Sequence, residues 1–123
     1  MKTVNIDDLK GSERDVNFTG GNSIRPVLES DGLGFAMMKT IIPKGGPHKW
    51  HYNRHIEACF CIAGKGILTD VWTGEHFEIK PDIVYIQDKN EEHTFEALED
   101  TILISVFNPP LKGNEKHDEN GNY

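Results

Sequence analysis

The chain has 123 residues, with 13 Lys and Arg against 20 Asp and Glu, and a formal charge of -7. That length suits one domain with a real core and is too short for two. The acids are scattered and no basic face stands ready to meet phosphates, which argues against nucleic acid or an anionic membrane as a partner. Nothing at the start resembles a signal peptide and no apolar run approaches a bilayer span, so a cytoplasmic protein is expected. The two cysteines, Cys59 and Cys61, are two apart and poorly placed for a disulfide, and both read as thiols in a reducing compartment.

In chain order, Thr3 to Gly11 reads as a short strand and one helical turn that Gly11 stops. Arg14 to Asn22 is polar, holds Gly20-Gly21 and reads as irregular. Ser23 to Leu28 reads as a strand that Pro26 pushes toward an edge position. After a turn at Ser30 to Gly34, Phe35 to Ile42 is a strand closed by Pro43-Lys44-Gly45-Gly46-Pro47. Further strands are expected at Ile56 to Ile62, Ile67 to Trp72, His76 to Ile79, Ile83 to Gln87 and Thr101 to Phe107, the last ended by Asn108-Pro109-Pro110. Between them Asp88 to Glu92 is a charged loop that delivers His93. Many short strands between Gly and Pro turns, with hardly any helical period, make an all-β sandwich or small barrel. The tail from Leu111 to Tyr123 is polar and, on composition alone, reads as disordered.

Glu57 stands out because it opens an otherwise apolar strand, and a buried carboxylate needs a partner, usually a metal ion or another bound cation. Strand alternation puts His55, Glu57, Cys59 and Cys61 on one face, and Ile83, Tyr85 and Gln87 on another. If both faces line one lumen, Glu57, Tyr85 and His93 converge. Carboxylate, phenol and imidazole around one ion suit ferrous iron better than a closed structural zinc. The plainer readings stand beside this one: Tyr85 as a core aromatic, His93 as a solvated loop residue beside Glu91 and Glu92, the cysteines as small buried apolar groups. His48, His51 and His55 read equally well as surface residues.

The run Gly45, His51, Glu57, Gly64 resembles the first cupin motif, and Pro81 through Tyr85 to His93 resembles the second, with Asp82 where a glycine is usual. Lys10-Gly11-Ser12-Glu13-Arg14-Asp15-Val16, Asp31-Gly32-Leu33-Gly34-Phe35, His55-Ile56-Glu57-Ala58, Glu92-His93 and the run from Val106 to Gly121 narrow this to the ectoine synthase family, over essentially the whole chain.

That resemblance implies an all-β cupin, a double-stranded β-helix or small jelly-roll barrel, as a single domain over 1-123 with 111-123 as a lid over its mouth. It implies a homodimer and a divalent metal, Fe(II), held by Glu57, Tyr85 and His93. The implied reaction closes the ring of N-gamma-acetyl-L-2,4-diaminobutyrate to ectoine with loss of water. Tyr52 and Glu115 would move protons, His55 and His117 would orient them, with His117 counted among the catalytic set, and Arg25, Thr40 and Phe107 would shape the substrate pocket. Family members typically carry a tryptophan near Gly21, a polar residue near Met38 and a cysteine at Ser105, so this chain departs from them around the pocket. An iron-dependent oxygenase and a cupin that merely binds a small zwitterion are the other function classes considered; oxygen consumption would mark the first, and simple binding would not require both Glu115 and His117.

Overall fold

The computed structural model describes residues 1–115. A four-residue helix, α1 (Ile6–Leu9), starts where the Asn5 side chain accepts a hydrogen bond from the Asp7 N–H at 2.9 Å, the usual way an asparagine caps a helix. No strand precedes it. Ten strands follow: β1 (Asp15–Phe18), β2 (Gly21–Val27), β3 (Ala36–Ile42), β4 (Gly45–His51), β5 (Ile56–Ala63), β6 (Gly66–Asp70), β7 (His76–Ile79), β8 (Val84–Gln87), β9 (Glu92–Ala97) and β10 (Thr101–Asn108). They form two antiparallel sheets, β1-β2-β3-β10-β5-β8 and β4-β9-β6-β7, the two layers of a jelly roll.

Alternation decides which side chains meet between the layers. Ala36, Met38 and Ile42 of β3, Leu103 and Phe107 of β10, and Cys59 and Cys61 of β5 face inward from the larger sheet. Trp50, Phe95, Ala97, Leu68 and Ile79 face them from the smaller one. Phe95 stacks on Trp50 at 6.1 Å and reaches Tyr85 of the other sheet at 6.4 Å, so one fully buried ring ties the layers together. Both cysteines are buried and unbridged.

Four further expectations need correction. Arg14 to Asn22 is no irregular stretch: β1 and β2 form a hairpin that turns at Thr19–Gly20, where Gly20 has φ 97°. Its polar composition hides the strand because β1 is only half covered. Pro26 does not sit on an edge, since β2 lies between β1 and β3. The register instead slips between Ile24 and Val27, and the bulge takes up the residue that lacks an N–H. The glycine and proline cluster at 43 to 47 is shorter than a turn would need, because β4 already begins at Gly45 and absorbs Pro47 in another slip between Gly45 and His48. The strand expected to run to Trp72 stops at Asp70, whose carboxylate accepts the N–H groups of Trp72 at 2.9 Å and Thr73 at 3.2 Å and bends the chain away.

Candidate active site

Most polar residues of the interior, Thr101 apart, gather toward one end of the barrel. Glu57, the first inward residue of β5, lies between Phe107 of β10 and Gln87 of β8 in the sheet register. Tyr85 lies opposite Cys59, which lies opposite Ser105. Thr40 and Ser105 share a hydrogen bond of 2.9 Å, and Ser105 and Cys59 one of 3.3 Å, so a polar row crosses three strands toward Glu57 and Tyr85. His93 comes from the opposite sheet at the head of β9, flanked by Trp50 and by Tyr52, whose ring centroid is 5.2 Å away. Tyr52 also meets Phe107 edge-on at 5.3 Å.

The loop from 88 to 91 fastens this arrangement. The Asn90 side-chain amide donates to the carbonyls of Tyr52 at 2.9 Å and His55 at 3.1 Å, and the His51 ring bonds the Asn90 carbonyl at 2.8 Å. His93 is therefore no solvated loop residue: it is 2% exposed, while Glu92 beside it pairs with Lys49 at the surface. His48 stacks on Trp50 at 5.9 Å and is half-buried on the flank of β4.

Burial governs the ionisation of these groups. Loss of water raises Glu57 to about 8, with the Cys59 thiol pulling slightly the other way. Burial likewise lowers His93 to about 4, against a hydrogen bond to the Glu91 carbonyl that favours the proton. It lifts Tyr85 and Cys59 well above their ordinary values, helped by the charges of Cys59 and Glu57 on Tyr85 and of Glu57 on Cys59.

The tail is tied to the mouth at its root. Leu111 is fully buried and its carbonyl accepts the Glu29 N–H at 2.8 Å. Arg25, also fully buried, donates from Nε to Ser23 Oγ at 2.9 Å and from Nη1 to the Gly113 carbonyl at 3.3 Å. The Glu115 carboxylate accepts the N–H groups of Lys112 and Gly113, each at 2.7 Å. Burial alone would raise Glu115, but those N–H groups, its own and the Arg25 guanidinium leave it below the usual carboxylate value. His55 Nδ1 bonds the Pro109 carbonyl at 2.8 Å, joining the segment after β4 to the same root. His117 lies outside the described residues.

The residues fit a metal. His93 Nδ1 lies 3.2 Å from the Glu91 carbonyl, which holds the proton on that nitrogen and leaves Nε2 as a bare lone pair. That Nε2 is buried without a partner. Among the described residues no three His, Cys, Asp or Glu side chains gather into a metal cage, so a metal bound by Glu57 and His93 would need a donor of another kind, such as a tyrosine. The cavity bounded by Phe18, Met38, Thr40, Tyr52, Glu57 and Tyr85 holds about 10 Å³, room for roughly one water or ion.

Sequence reasoning gave no role to Gln87, Ser23, Ser105 or Cys59 as polar interior groups. For Gln87 and Cys59 the alternation along β8 and β5 is the available signal; the links of Ser23 and Ser105 to Arg25 and Thr40 need the sheet pairing.

The ectoine synthase family model matches residues 1–123. An L-ectoine synthase of Desulfatibacillum aliphaticivorans is 45% identical over 126 residues, covering 100% of this chain and 96% of the relative. The crystal structure of ectoine synthase from P. lautus superposes with a TM-score of 0.87 at 34% identity, over 92% of this chain and 81% of that one. A cupin domain from Schizosaccharomyces pombe shares the fold at a TM-score of 0.60 and 17% identity, over 72% of this chain and 64% of that one. An inward Glu57, Tyr85 and His93 in a jelly-roll barrel thus coincide with a match along the whole chain, and the chain belongs to the ectoine synthase family.

Proposed function

We propose that this chain is an L-ectoine synthase, a lyase that closes N-gamma-acetyl-L-2,4-diaminobutyrate into a cyclic amidine. The observation that carries the reading is the family match over residues 1–123, with a relative of that name at 45% identity. In the reaction the α-amine attacks the acetamide carbon, a C–N bond forms, the C–O bond breaks, and the oxygen leaves as water with two protons drawn from nitrogen. Glu57, Tyr85 and His93 would hold a divalent metal, iron(II) by resemblance. When bound, it supplies a Lewis acid that polarises the acetamide carbonyl.

The remaining requirements fall to the chain itself. The amine must be neutral when it attacks and the oxygen must leave protonated. Tyr52, buried between His93 and Phe107, and Glu115 take these proton transfers, with His55 and His117 orienting them and His117 joining the catalytic set. Arg25, Thr40 and Phe107 shape the pocket, and holding amine against carbonyl supplies the proximity that makes ring closure fast. The Tyr52 and Phe107 rings, 5.3 Å apart, wall the internal cavity on the side of Glu57. The lid read for 111–123 is described only at its root, 111–115; the rest lies outside the described residues.

We also read the protein as a cytoplasmic homodimer. The outer face of the larger sheet exposes Met37, Ile56, Phe60, Ile62, Val84 and Ile86, an apolar surface suited to a second copy. Incubating the metal-loaded protein with the acetylated diaminobutyrate and following ectoine by NMR tests the activity. No ectoine, under conditions where a reference enzyme makes it, overturns the proposal.

A further inference from the structure

Two buried side-chain atoms among the described residues have no hydrogen-bond partner: His93 Nε2 and Gln87 Oε1. They flank the same loop, one at the end of β8 and the other near the start of β9. Gln87 is 5% exposed and alternates with Tyr85 on the inward face of β8. In the register of β5 and β8 it stands directly opposite Glu57, a relation that brings Cβ atoms to about 4.5–5.5 Å.

An amide oxygen without a donor thus faces a carboxyl that is itself out of water, with an imidazole lone pair also unpartnered nearby in the fold. The protonated Glu57 has a single O–H to give, so it cannot satisfy both orphaned atoms, and each buried acceptor left unpaired is costly. A cation satisfies all of them at once. We propose that Gln87 is a further metal ligand, giving its amide oxygen to the same cation that Glu57, Tyr85 and His93 hold. This rests on the ligand set proposed above. Amide carbonyls serve hard and borderline divalent ions, so the added oxygen shifts the site further from a thiolate-rich zinc type toward an oxygen-rich one.

The test uses the full-length chain, stripped of metal and titrated with cobalt(II) against a competing chelator without oxygen. Gln87→Leu and Gln87→Met keep the volume and remove the oxygen, while Gln87→Glu keeps an oxygen in place. Both apolar variants are expected to weaken cobalt(II) binding by more than the ~10–100-fold that loss of an outer hydrogen-bonding partner costs, and to shift its visible absorption as one oxygen donor leaves. Gln87→Glu is expected to stay within a few-fold of wild type. The melting temperature of the metal-free apolar variants is expected to equal or exceed that of wild type, because an unpaired buried acceptor has gone. Unchanged affinity and spectrum in both apolar variants overturn the inference, as does a Gln87→Glu protein that is folded but binds as weakly as they do. His93→Ala separates this from the parent reading: if wild type binds no cobalt(II), or His93→Ala binds as tightly as wild type, the ligand set itself is wrong. If His93→Ala loses binding while the Gln87 variants keep it, only the role of Gln87 falls.

Discussion

The Glu91 carbonyl lies 3.2 Å from His93 Nδ1, and that contact decides what the other ring nitrogen can do. With the proton fixed on Nδ1, Nε2 is an acceptor in the dry interior of the barrel. His93→Ala should therefore lower metal affinity by at least ~100-fold, more than the loss of an outer hydrogen-bonding partner would. Metal content after dialysis, together with a chelator competition, checks this; a His93→Ala protein that retains full metal would show that Nε2 is not a ligand.

Glu57 and His93 give the metal-free protein a pH dependence whose two parts have opposite signs. Native Glu57 keeps its proton to about 8, whereas unfolded it releases it near 4.5. Between those values the native state binds more protons, so stability is present at low pH and lost as pH rises. Native His93 stays neutral down to about 4, while unfolded it protonates near 6.5, so its contribution falls away as pH drops through that window. Above 6.5 the histidine contribution is flat and the decline due to Glu57 stands alone, at up to about 1.4 kcal/mol per pH unit. Melting curves of the chelated protein between pH 6.5 and 8 should slope less in Glu57→Gln than in wild type. Parallel slopes would mean that Glu57 does not carry its proton inside the barrel.

How much of this was readable beforehand depended on whether a residue's fate was set locally. The Thr101 to Phe107 run and the glycine and proline turns around most strands are local patterns, and the strands appear close to where they were expected. The inward face shared by Tyr85 and Gln87 also follows from period-two alternation. Of the first hairpin only β2 was readable, from Ser23 on: β1 is polar and gains its place by pairing, down to Asp15 accepting from the Asn22 amide at 2.8 Å. For His93 it is the plainer reading that falls: its neighbours Glu91 and Glu92 suggest a surface loop, while the burial comes from Trp50 and Tyr52, far away in sequence. The fastening of the tail root by Arg25 and Glu29 is likewise long-range.

Glu115 separates activity from stability. Its carboxylate is held by the N–H groups of Lys112 and Gly113 beyond the last strand, within reach of the Arg25 charge. Glu115→Ala should reduce kcat about 10²–10⁴-fold, the usual worth of a positioned acid or base, with little change in melting temperature. Glu115→Gln keeps the shape and can still accept those N–H groups but cannot carry a proton, so it should be nearly as slow. A fast Glu115→Gln enzyme would reassign the residue to holding the lid.

Gly21 governs whether the pocket can be returned to the family's usual form. A Cβ added there would lie 2.2 Å from the Ile41 carbonyl oxygen of β3, a backbone atom that cannot turn aside. Any side chain at this position therefore requires β2 to move relative to β3, in the stretch where Asn22 pairs with Ile41 and Ser23 with Thr40. Gly21→Trp should cost on the order of 2 kcal/mol or more, toward the upper end of what overpacking does. The displacement would also carry Thr40 and Ser23, and through Ser23 the buried Arg25, so catalysis and the tail root should suffer with stability. Met38→Asn tests a second departure, at a residue that lines the cavity. An amide there must find partners in a dry wall, and it should lower the melting temperature of the free protein while recovering part of that loss when substrate is bound. Thermal melts of both variants with and without substrate make the distinction: a Gly21→Trp protein as stable as wild type would show that the β2 and β3 backbones yield freely at Ile41.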